Sequence, residues 1–222
     1  MENTVHKNDF IEIKYTGYAN GEVFDSNIEE DMKKLAPNAK PHKTIIVVSQ
    51  EMVIKGFDNA LLGKEIGKAY EIKLAPKEAF GERNRELIKT IPLKAFTEKD
   101  FTPKPGMIIT LDNIMTKIIA VSGARVIADF NNPLAGKEIS YKFTIIRKVN
   151  DEKEKTNALF EFFFKFIPEY EINEKIKIKG KKELEIFINV FNNKFKELLG
   201  KELVFEEKTS DKKPDKETVP LI

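Results

Sequence analysis

Residues 11–26 read IEIKYTGYANGEVFDS. Ile11, Ile13 and Tyr15 alternate with Glu12 and Lys14, the period of a strand with one buried face. Asn20-Gly21 supplies a tight turn, because both residues accept the left-handed backbone that a two-residue hairpin loop needs, and Val23 and Phe24 return as the second strand. Downstream, Thr44 to Val48 is β-branched and apolar, as expected of a buried strand. Ser49 is placed to cap a short helix whose face is Val53, Phe57, Ala60 and Leu61, with Gly63 at its end. Tyr70, Ile72 and Leu74 alternate as another strand.

From about Arg85 to Phe130 the texture changes. Pro92, Pro103, Pro105 and Gly106 punctuate it, and Met107 to Leu111, Ile114 to Val121 and Arg125 to Phe130 are candidate strands, the last two joined at Ser122-Gly123-Ala124. Asn131 to Gly136, with Pro133, is a turn-rich joint, after which Ile139, Tyr141, Phe143 and Ile145 resume clean alternation. A small antiparallel module inserted into a larger sheet is the simplest account. Its apolar residues Ile91, Leu93, Phe96, Phe101, Met107, Ile109, Ile114 and Met115 are more than so small a unit needs internally. They read equally as a small β core or as an exposed surface that captures unfolded clients, since methionine and aromatic side chains give adaptable apolar contact.

Asp151 to Lys155 reads as a charged linker. Leu159, Phe162, Phe163 and Phe166 fall on one face of a helix that Pro168 stops. Ile176 and Ile178 alternate with lysines as a strand, and Leu184, Ile188, Phe191, Phe195 and Leu198 mark a helix closed by Gly200. A third domain over roughly 156–207 follows, with more apolar surface than a unit of that size readily buries, which makes a homodimer through it one expectation and packing inside the monomer the other. Residues 208–222 are charged, hold two prolines and are expected to be disordered.

Composition narrows the chemistry. Lys plus Arg number 38 against 36 Asp plus Glu, so no one-signed field exists to grip phosphates and nucleic acid is not an expected partner. No apolar run approaches bilayer length and Met1 to Phe10 lacks a signal core, so the chain reads as cytoplasmic with no membrane partner. There is no Cys and only His6 and His42, which removes Cys-His nucleophiles and soft metal sites. No phosphate-cradling glycine motif occurs. No metal or cofactor is expected.

What stands out is an apolar set ordered along the chain: Tyr15-Thr16-Gly17, Phe24-Asp25-Ser26, Val53-Ile54-Lys55-Gly56-Phe57 and Ala79-Phe80-Gly81. Taken singly, Phe24, Val53, Ile54 and Phe57 are ordinary core. Together, in this order, they resemble the FKBP family of prolyl isomerases over about residues 6–84 and 131–149. The interruption after Gly81 resembles the insert-in-flap domain of SlyD-like members, and the C-terminal addition is similar to that of long archaeal FKBPs.

The resemblance implies an α+β protein. An FKBP-like antiparallel half-barrel around a short helix would be formed by 1–84 plus 131–149, with a small inserted β domain at 85–130 and a C-terminal α+β domain. It implies a proline pocket lined by Tyr15, Phe24, Asp25, Val53, Ile54, Phe57, Phe80 and Tyr141, acting on unfolded or nascent polypeptides that contain proline, with chaperone activity. Phe57 stands where many members carry Trp, Phe80 where a Tyr hydroxyl is common, and Tyr141 where Phe is common. The nickel-binding tail of bacterial SlyD-like proteins has no counterpart here. Two other readings stay open: a non-catalytic holdase that keeps the fold, and an assembly protein tethered through its C-terminal domain.

Overall fold

The alternation of residues 10–19 becomes β1 (Phe10–Ala19) in a computed structural model that describes residues 3–207. Phe10, Ile11, Ile13 and Ala19 are buried while Lys14 faces water. The chain turns at Asn20 and Gly21, both at positive φ, into β2 (Glu22–Ser26). A helix, α1 (Glu29–Leu35), follows in the polar stretch where none was expected. β3 (Thr44–Val47), β4 (Ala69–Leu74) and the long β9 (Ile139–Lys148) complete an antiparallel sheet of order β2-β1-β9-β4, with β3 also on β1. One row of partners crosses four strands: Asp25, Gly17, Tyr141 and Ile72.

The short helix α2 (Lys55–Leu61) packs Phe57 and Leu61 onto the core that Ile11, Ile13, Ile46, Tyr141, Phe143 and Ile145 present from the sheet. Its cap differs from the sequence expectation. Ser49 lies too far upstream to cap a helix that begins at Lys55, and Ile54 takes the N-cap position without a side-chain bond. The bond runs the other way: buried Asp58 accepts from the backbone N–H groups of Ser49 and Glu51, each at 2.8 Å. Both donors sit at positive φ, 63° and 55°, so the carboxylate holds a loop that its non-glycine residues resist. Gly56 is required by closeness, since a Cβ there would stand 2.7 Å from the Glu78 carbonyl oxygen.

Within the same compact unit, Met1–Lys148, residues 88–129 build a separate four-stranded sheet. β5 (Ile88–Pro92), β6 (Ile108–Leu111), β7 (Ile114–Ser122) and β8 (Arg125–Asp129) pair in the order β5-β8-β7-β6. The one-turn helix α3 (Lys94–Thr97) brings Phe96 into a core with Ile118, Val126 and Ala128. β5 was hidden in the sequence by Pro92, which the sheet tolerates because β5 is an edge strand and Pro92 is its last residue.

The second unit, Val149–Ile222, corrects three expectations. Residues 151–155 are no linker: Asp151 caps α4 (Glu152–Phe163) by accepting the Glu154 N–H at 2.8 Å, and Glu152 and Glu154 suit the positive end of the helix. The buried face of α4 and its cap is Leu159, Phe160 and Phe164, with Phe166 exposed, because aromatics at 160, 162, 163 and 164 leave the periodicity without a preferred side. β10 (Glu169–Ile172) and β12 (Leu203–Glu207) join β11 (Ile176–Gly180) in a three-stranded sheet. β12 runs parallel to β11 across α5 (Leu184–Leu199), a βαβ unit. Phe195 of α5 meets Phe160 at 4.9 Å and Phe191 stacks on Phe163 at 4.9 Å. The outer face of α5 keeps Ile186 and Val190 open to water at 67% and 64%. The expected tail, 208–222, lies outside the described residues. Among the described residues no helix is long and apolar enough to cross a membrane.

Candidate active site

Sheet register and helix α2 bring seven of the eight expected pocket residues into one apolar cluster, and Asp25 is bonded to it. Phe57 and Tyr141 form its floor, 1% and 4% exposed, stacked at 4.5 Å with planes 14° apart. Tyr15 meets Phe57 edge-on at 6.0 Å, and Phe24 meets Tyr141 at 5.8 Å and Phe80 at 5.6 Å. Tyr15, Phe24, Val53, Ile54 and Phe80 are half-buried and pack against the core cluster that contains that floor. Two buried aromatic rings with half-buried apolar side chains around them make an apolar cluster with a partly exposed rim, the candidate seat.

Gly17 makes this arrangement possible. It lies in the cross-strand row between Asp25 and Tyr141, and a Cβ there would stand 2.8 Å from both Phe24 Cζ and Tyr141 Cε1. The two rings occupy the space that any other residue would fill.

The polar groups of the seat are few. Tyr15 Oη donates to Asp25 Oδ2 at 3.1 Å. Burial first, then the Asp25 charge and this bond, push the Tyr15 phenol well above its usual range, and burial followed by the Asp25 charge does the same to Tyr141. Both therefore stay protonated at neutral pH. Asn27 fixes the strand beneath Tyr15: its Oδ1 accepts the Tyr15 N–H at 2.8 Å and its Nδ2 donates to the Ile13 carbonyl at 2.8 Å and to Thr44 Oγ1 at 2.9 Å.

Three contributors escaped the sequence reading. Leu134 packs against the same cluster from the 131–136 joint, and the available signal was one large apolar side chain in a polar loop. Asn27 and Asp58 act through backbone bonds, and a lone buried polar residue leaves no periodic trace.

The eight insert residues do not share one surface. Ile91 and Ile109 from strands β5 and β6, Phe96 from α3 and Phe101 from the loop after it turn toward the module's own core, where they also line a concavity of ≈ 380 Å³ with Leu111 and Phe130, and Leu93 packs there too. Met107, Ile114 and Met115 are exposed, as are Ile108, Ile119 and Ile127, which the sequence reading passed over. Ile108 (61% exposed), Met115 (57%) and Ile119 line a second concavity of ≈ 550 Å³ with Arg83, Pro133 and Gly136 of the connecting segments.

Those two connections are tied together. Asn131 accepts the Asn84 N–H at 2.8 Å and donates to the Asn84 carbonyl at 2.9 Å. Gly136 N–H donates to the Gly81 carbonyl at 2.8 Å. Asp129 accepts from Asn131 Nδ2 at 2.7 Å and pairs with Arg83. Although burial raises its pKa, the Asn131 bonds and the Arg83 charge leave it below the usual carboxylate range.

Comparison with known proteins gives the family. Residues 1–96 match the FKBP-type peptidyl-prolyl cis-trans isomerase family model, and residues 89–134 match the FKBP26 IF domain. Over 154 residues the chain is 36% identical to the short-type peptidyl-prolyl cis-trans isomerase of Methanocaldococcus jannaschii, covering 68% of this chain and 96% of that protein. The chain belongs to the FKBP-type peptidyl-prolyl cis-trans isomerases. It is also 31% identical to the SlyD isomerase of Helicobacter pylori over 150 residues, 64% of this chain and 74% of that one. Within the family it carries the SlyD-like insert, placed between Gly81 and the returning strand β9, and its second unit lies beyond both family models.

Proposed function

We propose that this FKBP-type isomerase also acts as a chaperone, with Tyr15, Phe24, Asp25, Val53, Ile54, Phe57, Phe80 and Tyr141 seating the proline of an unfolded chain. In this reading, residues 1–84 with 131–149 turn over X-Pro bonds, while 85–130 and 156–207 hold the client. The observation that carries the catalytic part is the stacked Phe57–Tyr141 floor inside a half-buried apolar ring.

Rotation about X-Pro crosses a barrier of about 18–20 kcal/mol and breaks no σ bond. Resonance makes the planar imide more polar than the twisted one, so a seat that excludes water favours the twisted transition state. Lowering the barrier by about 5 kcal/mol gives nearly four decades of rate. Neither a nucleophile nor a metal is needed for that. The Asp25 carboxylate, bonded to Tyr15, adds a fixed negative field at the rim.

A protease-coupled proline-tetrapeptide assay tests this. The expected result is a kcat/KM in the ordinary enzymatic range, about 10⁴ M⁻¹s⁻¹ or higher. A wild-type protein without turnover that still suppresses aggregation would leave the holdase reading in its place. The open face of the insert sheet, Ile108, Met115, Ile119 and Ile127, supports the client-holding half of the proposal.

The second unit supports self-association. Ile186, Phe187 and Val190 of α5 form an exposed apolar strip, and Phe166 and Ile167 lie open on the same unit, with Phe166 6.2 Å from Phe187. Sedimentation at about 5 µM should show a dimer, and Val190→Asp should return a monomer, because a charge at such a contact costs several kcal/mol in lost association. A wild-type monomer at that concentration removes the dimer.

A further inference from the structure

We propose that the Tyr141 hydroxyl is a hydrogen-bond donor to the substrate, anchoring a peptide carbonyl beside the rotating bond. The inference rests on the isomerase reading of the same seat and adds a polar contact to it.

Three observations converge on this oxygen. Its ring is immobilised, stacked on Phe57, edge-on to Phe24, and 6.1 Å from Tyr15. Tyr15 and Tyr170 donate to Asp25 and Asn157 and Tyr70 accepts the Glu65 N–H, whereas Tyr141 in the cluster, and half-buried Tyr18 outside it, have no hydroxyl partner among the described residues. Finally, no fully buried side-chain oxygen or nitrogen there is left without a partner, so a residue only 4% exposed has its hydroxyl as the part that reaches solvent. The ring stands among Phe57, Phe24 and Tyr15, so a peptide bound in the proposed seat lies beside this hydroxyl. Water can hold such a hydroxyl until a peptide acceptor displaces it, which leaves its proton available to a substrate.

Among the described residues that form the seat, no other side chain has a donor to spare. Phe24, Val53, Ile54, Phe57, Phe80 and Leu134 have none, and the Tyr15 hydroxyl is committed to Asp25. The Asp25 charge and burial keep the Tyr141 phenol protonated. The acceptor is then a carbonyl oxygen of the peptide, and elementary energetics selects which. A donor on the rotating carbonyl would stabilise the planar state, where that oxygen carries more charge, and would slow the reaction. A donor on the neighbouring, non-rotating carbonyl grips ground and transition states alike and positions the proline.

The test is Tyr141→Phe, which removes one oxygen and keeps the stack. Uniform binding lost in this way raises KM and leaves kcat. We expect kcat/KM for a proline tetrapeptide to fall about fivefold to tenfold through KM, with the Kd of the same peptide by NMR titration weakened by a similar factor. Tm should hold or rise, since no protein bond is lost. An unchanged kcat/KM and Kd overturns the inference, as does a fall in kcat at constant KM, which would place the hydroxyl on the rotating bond. A wild-type protein with no turnover removes the isomerase reading instead, and the peptide Kd then decides on Tyr141 alone.

Discussion

Gly17→Ala is expected to lower kcat/KM for a proline tetrapeptide by about 10²-fold in a protein that still folds. Alanine ordinarily suits a strand better than glycine, whose missing side chain weakens pairing and packing. Here the added methyl meets Phe24 Cζ and Tyr141 Cε1 at 2.8 Å, closer than van der Waals contact allows. Neither ring can yield freely: Tyr141 is clamped on Phe57, and Phe24 is set against Phe80. Relief must come from moving Phe24 outward or shifting β2 against β1, and either widens the seat by a substantial part of an ångström. Overpacking of this kind costs about 1–3 kcal/mol of stability, so circular dichroism should show a folded protein of lowered Tm. Activity within about threefold of wild type would mean that the rings part without consequence and that their spacing does not shape the transition state.

The same residue shows how far the sequence could be read. Alternation through Tyr15 and the Asn20-Gly21 turn were sufficient for the hairpin, because strand period and turn chemistry are local; the half-barrel and the proposed pocket set came from the family resemblance carried by the ordered apolar motifs. Tyr141 depended on register, and the pairing of Gly17 with Tyr141 and of Tyr141 with Ile72 is a non-local fact that a period alone leaves free by one residue. What stayed hidden was hidden for physical reasons. β12, Leu203–Glu207, is short and flanked by charge, and becomes a strand only because β11 offers a parallel edge. The face of α4 is ambiguous in a nearly continuous aromatic run. In β7 the register slips between Ile118 and Ala120, leaving Ile119 without a partner in β8. Such a bulge re-aims side chains, which is why counting apolar residues in the insert did not separate core from surface.

That separation leads to the other large effect. Replacing Ile108, Met115 and Ile119 together by serine should lower catalysis of a proline-limited protein refolding reaction about 10²-fold relative to tetrapeptide turnover. The three side chains are exposed, so each exchange alters stability by only about 0.5 kcal/mol or less. Under the proposed function their contribution is capture. A client held on the insert by one segment presents its prolines to the seat as an intramolecular partner, at an effective concentration that reaches about millimolar over a short span. At micromolar client this exceeds free encounter by two to three decades, whereas a tetrapeptide of about 14 Å extended length occupies one site and gains nothing. The concavity beneath Ile108, Met115 and Ile119 is lined by Pro133 and Gly136, in the same segment whose Leu134 packs against the core that holds the proposed seat, and Asn131 ties that segment to Asn84. Equal losses on protein and tetrapeptide would place the effect of the substitutions in the seat rather than in capture. An undiminished refolding rate would remove the insert face from client binding and shift attention to the concavity lined by Ile91, Phe101 and Phe130.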